Sequence, residues 1–283
     1  MKNTVSRRTI VKSSVFGLLA TTIPNVTYAS SMFSMEKELE LDLPSRYPSI
    51  DDDIVKEVVG KSHFDLETVK KLVDKRTELA RATWDWSFGD WESAIGAASH
   101  VGRRDIVFYL ISKGARPTMF TYAMLGAYDI VKNMIDISPG IQKTMGPHGI
   151  SLASHAKFGL RMKDEMTFEQ ISSSEKLIDF LDNLEGAAGE TYLEMTDDKK
   201  KYLGDYKYGN GSIDGFSIKE NSRKMLSLGK LGEFGGGLHK TGNSEFMYNG
   251  VPSVKITFQI ENEIVKSLTV VEPELTLIAK KVS

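Results

Sequence analysis

Five histidines are the residues of this chain best suited to hold a metal ion or to transfer a proton, because imidazole titrates near neutral pH and offers a nitrogen lone pair. They are His63, His100, His148, His155 and His239. No two stand four residues apart, the spacing that places two ligands on one helix face, and the chain has no cysteine to supply a thiolate. We therefore predict no metal site and no other cofactor. His100 and His155 are expected to have structural hydrogen-bonding roles.

Two short motifs could belong to a serine hydrolase. Ser173 and Lys176 match Ser-x-x-Lys, and Lys240 opens a Lys-Thr-Gly sequence, which are two signatures of β-lactamases and penicillin-binding proteins. Only 67 residues separate Ser173 from Lys240, which leaves no room for the α/β body that would bring them together in such an enzyme. Ser173 also stands in a serine-rich stretch typical of a helix cap. We therefore predict that the protein is not an enzyme.

Paired helices are the first elements that the sequence predicts, over residues 61–186. Three segments with an apolar first helix can be aligned on the glycine that ends each helix, at Gly102, Gly126 and Gly159. A glycine there accepts a left-handed backbone, which lets a second helix turn back antiparallel. Gly-x-x-Asp-Ile-Val follows twice, beginning at Gly102 and at Gly126. The segments resemble the ankyrin repeat, whose 33-residue period separates Gly126 from Gly159. The alternative is an unrelated array of helical hairpins.

An antiparallel β domain is predicted over residues 202–283, after a solvated linker at 187–201. Short alternating runs are separated by turn signals such as Asn210-Gly211 and Asn249-Gly250. The candidate strands are 204–208, 216–220, 224–228, 237–240, 245–248, 253–260, 265–271 and 275–280. They predict a small barrel or curled sheet, and hence a two-domain α+β protein. This region resembles a lipocalin-like β module appended to exported serine hydrolases of the β-lactamase type.

The first 29 residues have the three-part pattern of an export signal. Arg7 and Arg8 precede a short apolar run, and small residues lead to a cleavage position after Ala29. The segment resembles a twin-arginine signal, which implies a periplasmic or secreted protein. A retained membrane anchor is the alternative, but the apolar run is far shorter than the roughly 20 residues that cross a bilayer. Residues 30–60 are predicted to be an extended lead-in, in which a short helix around 54–59 is the one element that the sequence allows.

The charge of the chain argues against a nucleic-acid partner. Removal of the signal would take four basic residues and no acidic ones, so the formal net charge would fall from −2 to −6. We expect a binding protein that recognises a protein or cell-envelope partner through the helical array. Its candidate surface is aromatic and comprises Trp84, Trp86, Trp91, Phe120, Tyr122 and His148, although the tryptophans could equally be core. The alternative is a hydrolase-related enzyme or accessory whose β domain binds a small apolar ligand.

Overall fold

The computed structural model describes residues 46–196 and 198–282. The predicted signal segment, with Arg7, Arg8 and Ala29, lies outside the described residues, as does the first half of the predicted lead-in. In the part of the chain that the structure describes, no helix has the length and apolar character needed to cross a membrane.

Two capped helices open the described chain. Helix α1 (Asp52–Lys61) begins after Asp51, whose carboxylate accepts a hydrogen bond from the Asp53 amide. Helix α2 (Leu66–Lys75) begins after Asp65, which accepts from the Thr68 amide. Helix α2 ends at Lys75 and is followed by the 3₁₀ turn Thr77–Arg81.

Three helical hairpins follow. They pair α3 (Ala94–His100) with α4 (Arg104–Ser112), α5 (Met119–Met124) with α6 (Tyr128–Ile137), and α7 (Leu152–Phe158) with α8 (Phe168–Asp182). The first helices pack in sequence order, α3 on α5 and α5 on α7. The paired helices predicted from the glycine pattern are therefore present, and their first helices form a layer.

The three aligned glycines do not have the same role. Gly102 and Gly126 adopt φ values of +77° and +72°, the left-handed conformation that the sequence predicts. Gly159 does not, because its φ is −58° and the backbone continues in a right-handed turn. A Cβ on Gly159 would overlap the Met124 carbonyl. Gly159 is therefore required for close packing between helices, and the prediction of a left-handed turn there was wrong.

Helix α8 begins at Phe168, ahead of the serine-rich stretch that the sequence predicts to be a helix cap. Thr167 and Gln170 form its capping box, so the serines at 172–174 lie inside the helix and do not cap it. Ser173 Oγ donates a hydrogen bond to the Gly126 carbonyl oxygen at 2.7 Å. Ser173 therefore holds α8 against the turn of the preceding hairpin.

A small hairpin and a closed barrel supply the β structure. Strands β1 (Thr83–Asp85) and β2 (Trp91–Ser93) form the hairpin, directly before α3. The barrel has eight antiparallel strands, which confirms the predicted barrel: β3 (Gly204–Lys207), β4 (Gly215–Glu220), β5 (Leu226–Lys230), β6 (Gly236–Gly242), β7 (Glu245–Tyr248), β8 (Val251–Glu261), β9 (Ile264–Val271) and β10 (Thr276–Lys281). Strand β10 pairs with both β9 and β3, which closes the ring.

The barrel interior is filled with apolar and aromatic side chains. Along β8, Val254, Ile256 and Phe258 are buried while the residues between them are exposed, as the alternation predicts. The Phe258 ring meets Tyr202 and Phe246 edge-on, with centroids 4.9 and 5.5 Å away. Residues 44–283 form one compact unit.

The predicted linker contacts the barrel. The Leu193 amide donates a hydrogen bond to the Lys240 carbonyl oxygen at 3.1 Å. The centroids of the Tyr192 and His239 rings lie 4.2 Å apart. Part of the 187–201 segment therefore packs along strand β6 instead of being fully solvated.

Candidate metal centre

The β1–β2 hairpin places one carboxylate in the interior of the protein. Glu92 stands opposite Trp84 in the hairpin and is fully buried. Its Oε2 atom accepts a hydrogen bond from the Trp86 indole nitrogen at 2.7 Å. This bond fixes the carboxylate and leaves its other oxygen, Oε1, facing the helices.

Three histidines from three different elements converge on Glu92. His63 lies between α1 and α2, His100 is the last residue of α3, and His148 lies in the 3₁₀ turn Pro147–Gly149. His100 Nε2 is 2.8 Å from Glu92 Oε1 and 3.0 Å from His63 Nε2. His148 Nε2 is 3.2 Å from Glu92 Oε1. One donor atom from each of the four residues lies within 4.8 Å of all the others.

Glu92 Oε1 is a buried carboxylate oxygen without a hydrogen bond. The two nearest nitrogens lie close to it, His100 Nε2 at 2.8 Å and His148 Nε2 at 3.2 Å. An unsatisfied buried charged oxygen is costly, so a native site of this kind calls for a partner. A cation among the four residues would supply one.

Contacts on the far side of the ring fix which nitrogen carries a proton in two of the three histidines. His63 Nδ1 lies 2.9 Å from the Gly60 carbonyl oxygen, and His148 Nδ1 lies 2.7 Å from Asp90 Oδ2. Both oxygens accept, so Nδ1 of His63 and of His148 is a protonated atom. When these two rings are neutral, their Nε2 lone pairs face the cluster. This arrangement is typical of histidines that ligate a metal through Nε2.

The barrel contributes to the cluster through Asn249. The Asn249 side-chain amide donates a hydrogen bond to Asp90 Oδ2 at 2.6 Å. Asp90 is buried, and its other oxygen accepts from the His148 amide at 3.0 Å. The Asn249 amide oxygen in turn accepts from the Gly237 amide at 3.3 Å. A chain of polar contacts thus runs from the barrel backbone to the ring of His148.

Two tight turns meet where Asn249 reaches Asp90. His148 has a φ of +59°, and Gly149 and Gly250 have φ values of +64° and +82°. A Cβ on Gly149 would lie 2.8 Å from the Gly250 Cα, so the two turns approach as closely as glycine allows. The Asn249-Gly250 turn signal therefore marks both a barrel hairpin and the contact that holds His148.

Burial and charge act in opposition on the ionisable groups of the cluster. Burial raises the pKa of Glu92, but the contacts with His100 and His148 outweigh it and hold that pKa well below its usual range. Burial lowers the pKa of His148, yet the Asp90 and Glu92 carboxylates raise it to about 9. The pKa of His100 is lowered, chiefly by burial. The site therefore favours positive charge beside Glu92.

The donor set suits a divalent transition metal. Three imidazole nitrogens and one carboxylate oxygen are ligands for zinc and for its first-row neighbours, whereas calcium and magnesium prefer oxygen alone. With bonds of about 2.0–2.1 Å, neighbouring donors of a tetrahedral site lie about 3.3 Å apart. Three donor pairs here are separated by 2.8–3.2 Å, and all four donor atoms lie within 4.8 Å of one another. The four side chains are therefore close enough to converge on such an ion, with the wider pairs closing toward the tetrahedral spacing.

A cavity of about 600 Å³ opens beside the cluster, between the β1–β2 hairpin and the barrel. His63 and His148 line this cavity, whereas Glu92 and His100 do not. An ion held by all four residues would therefore have its accessible side toward the cavity.

The predicted aromatic surface divides in the structure. Trp84 and Trp86 are half-buried, pack against the helical core and line the 600 Å³ cavity. Trp91 is 62% exposed. Phe120 and Tyr122 are half-buried against the second helical core, so among these residues Trp91 presents the most open surface.

His148 was predicted to lie on the aromatic binding surface, and no metal ligands were predicted. In the structure, the side chain of His148 lies beside those of His63, Glu92 and His100. The remaining histidines stay outside this cluster. Buried His155 contacts the Ser151 carbonyl oxygen, and burial lowers its pKa to about 4. His239 lies in the barrel, with its pKa likewise lowered to about 4. No sequence spacing could have selected the cluster, because its four members come from four separate elements.

The chain matches no protein-family model, no curated protein and no solved structure. The function must therefore be argued from the site.

Proposed function

We propose that the protein binds one divalent transition-metal ion through His63, Glu92, His100 and His148. The observation that carries this proposal is the buried Glu92 Oε1, which has no hydrogen bond and lies within 3.2 Å of the Nε2 atoms of His100 and His148. Zinc is the reference ion for a site of three nitrogens and one oxygen. When bound, it would act as a Lewis acid at the wall of the cavity.

A metal-free hydrogen-bond network is the competing explanation. In that case a protonated His148 would balance the charge of Glu92, as its raised pKa allows. Two contacts favour the metal. The Nδ1 proton of His63 is directed to Gly60, so its Nε2 lone pair faces His100 Nε2 at 3.0 Å, and Glu92 Oε1 stays without a hydrogen bond. A cation satisfies both atoms at once, whereas the metal-free network needs the single Nε2 proton of His100 for His63 and an additional proton on His148 for Glu92.

Calorimetric titration of the metal-stripped protein with Zn²⁺ tests the proposal. We expect one ion per chain, and a loss of affinity of at least about 100-fold in His100→Gln, because removal of a ligand costs more than the 10–100-fold typical of outer contacts. His239→Gln is the matched control, since it changes a half-buried histidine outside the cluster. Equal zinc affinity in wild type and His100→Gln would contradict the proposal.

Binding of a protein or cell-envelope partner through the helical array is a second candidate function. The exposed Trp91 on the β1–β2 hairpin favours it, together with Phe108, which is 50% exposed on α4. We further propose that the helical hairpins are ankyrin-like, that the barrel is lipocalin-like and that residues 1–29 direct twin-arginine export to the periplasm or medium. The absence of enzymatic activity stays a prediction, and a metal beside a cavity gives the enzyme alternative a chemical basis.

Export has its own test. Changing Arg7 and Arg8 together to lysine should leave the unprocessed chain inside the cell, as measured by fractionation and immunoblotting. Normal export of the double variant would contradict the twin-arginine assignment without affecting the metal proposal.

A further inference from the structure

We infer that the cavity beside the metal centre binds a small organic anion, whose acid group coordinates the metal and whose apolar body lies against an aromatic wall. This inference rests on the proposed metal function and adds the chemical class of its ligand.

Within the part of the chain that the structure describes, the 600 Å³ cavity gives the metal one accessible side. Glu92 and His100, which are fully and nine-tenths buried, lie behind the site, whereas His63 and His148 line the cavity. Catalytic zinc keeps a position for a donor that is not a protein side chain, and zinc can expand to five ligands to accept one. Any such donor must arrive between the two cavity-facing histidines. The geometry therefore gives the metal an outward coordination position.

The cavity wall offers a rigid aromatic surface. Trp84, Trp86, Phe234 and Tyr248 all line it. Trp86 is held by its bond to Glu92. Tyr248 is held by the Gly236 amide, which donates to its hydroxyl at 3.0 Å. Aromatic walls with a few fixed polar groups are typical of small-molecule sites, and about 600 Å³ lies within their usual range of about 300–1,000 Å³.

The charge balance favours an anion once the metal is present. The lining carries three cations, Lys56, Arg223 and Lys230, against three carboxylates. One of these carboxylates, Asp90, is already bonded to His148 and Asn249. The two charges of the metal exceed the single charge of Glu92. A carboxylate on the ligand would therefore be attracted both to the metal and to the rim.

Arg223 is the residue that extends this attraction to the rim. Among the described residues its guanidinium has no ion pair and no hydrogen bond, and it lines the cavity. A guanidinium presents several donors in a fork that matches a carboxylate. The Arg223 guanidinium can contact the second oxygen of a carboxylate whose first oxygen is on the metal. With a longer ligand, it can contact an acid group at the end away from the metal.

The test uses cobalt as both metal and reporter. The metal-stripped protein is loaded with Co²⁺, and its visible absorption is followed during titration with benzoate, benzamide and acetate. Benzoate should change the Co²⁺ spectrum saturably. Benzamide, which lacks the charge, and acetate, which lacks the ring, should bind more weakly. Arg223→Gln should weaken benzoate binding by roughly tenfold, the size of one charged hydrogen bond. Arg161→Gln, an arginine on the helical surface, is the control and should not.

The outcomes separate the two proposals. If Co²⁺ is bound and none of the probes changes its spectrum, the anion site is wrong and the metal site stands. If benzamide equals benzoate, the charge argument is wrong. If wild type fails to bind Co²⁺, both the metal function and the inference drawn from it are overturned.

Discussion

The barrel interior and the junction between the β1–β2 hairpin, the helices and the barrel are both well buried, but they are filled in opposite ways. The barrel core is apolar and aromatic, with rings such as those of Tyr202 and Phe258 packed edge to face. The junction brings together three histidines and two carboxylates, one of which has an oxygen without a hydrogen bond. Burial in the barrel stabilises the fold directly, whereas burial at the junction is costly unless the polar groups have partners. The difference indicates that the junction is where the protein binds its ligand.

The largest expected effect on stability is in the barrel. Phe258→Ala should lower the free energy of unfolding by about 3–5 kcal/mol, because it removes a buried ring from a filled core. Urea denaturation measures it. Phe234→Ala, which changes a phenylalanine that is 66% exposed, is the control and should shift the midpoint little. Equal effects of the two changes would mean that the barrel core is not packed as described.

At the junction, stability should depend on metal. Zinc at about 100 times its dissociation constant should stabilise the wild type by about 2.7 kcal/mol, since it binds the folded state. Glu92→Gln should lose most of this gain, because an amide oxygen is a weaker ligand than a carboxylate. Glu233→Gln changes a carboxylate of the same cavity outside the cluster and should retain it. Thermal unfolding with and without zinc measures the stabilisation. Equal stabilisation of Glu92→Gln and Glu233→Gln by zinc would contradict the assignment of Glu92 as a metal ligand.

Asn249 is the test of whether the barrel supports the metal centre. Asn249→Ala should weaken zinc binding by about 10–100-fold, as the loss of an outer contact does, because Asp90 and His148 lose their orienting bond. Asn262→Ala is the matched control and should leave zinc binding unchanged, since Asn262 also has positive φ in a barrel turn. Calorimetry on both variants decides. Unchanged affinity in Asn249→Ala would show that the helices and the β1–β2 hairpin form the site without the barrel.

The smallest expected effect concerns His239, a half-buried histidine away from the cluster. Its pKa is lowered to about 4, chiefly by burial, so the folded state holds it neutral while the unfolded chain takes up a proton near pH 6.5. Its contribution to stability is therefore full above pH 6.5 and is lost as the pH falls toward 4, and because part of the ring is exposed we expect a loss of about 1 kcal/mol. Urea midpoints at pH 7 and 4.5 should differ less in His239→Gln than in wild type. The same pH dependence in wild type and in His239→Gln would contradict the lowered pKa of His239.

The barrel could be predicted from the sequence because its information is local. Alternation in residues such as 254–258 and turn signals such as Asn249-Gly250 specify each strand, and pairing of neighbours then closes the sheet. The helical hairpins were indicated in the same way by Gly102 and Gly126. Gly159 was misassigned, since its need for glycine arises from contact with a helix 35 residues earlier.

The candidate site could not be predicted, because its information is not local. His63, Glu92, His100 and His148 lie on four elements, and only the packing of α1, α3, the β1–β2 hairpin and the 3₁₀ turn brings their donor atoms together. Helical spacing rules detect ligands that share one element. The hydrogen bond between Asn249 and Asp90 has a still larger sequence separation, because its two residues are 159 positions apart.

Anomalous diffraction from zinc-loaded crystals, recorded on both sides of the zinc absorption edge, tests the central claim most directly. We predict one strong peak about 2.0–2.1 Å from the Nε2 atoms of His63, His100 and His148 and from Glu92 Oε1. A fully loaded crystal whose peaks lie elsewhere, with Glu92 Oε1 hydrogen-bonded to a histidine, would contradict the account.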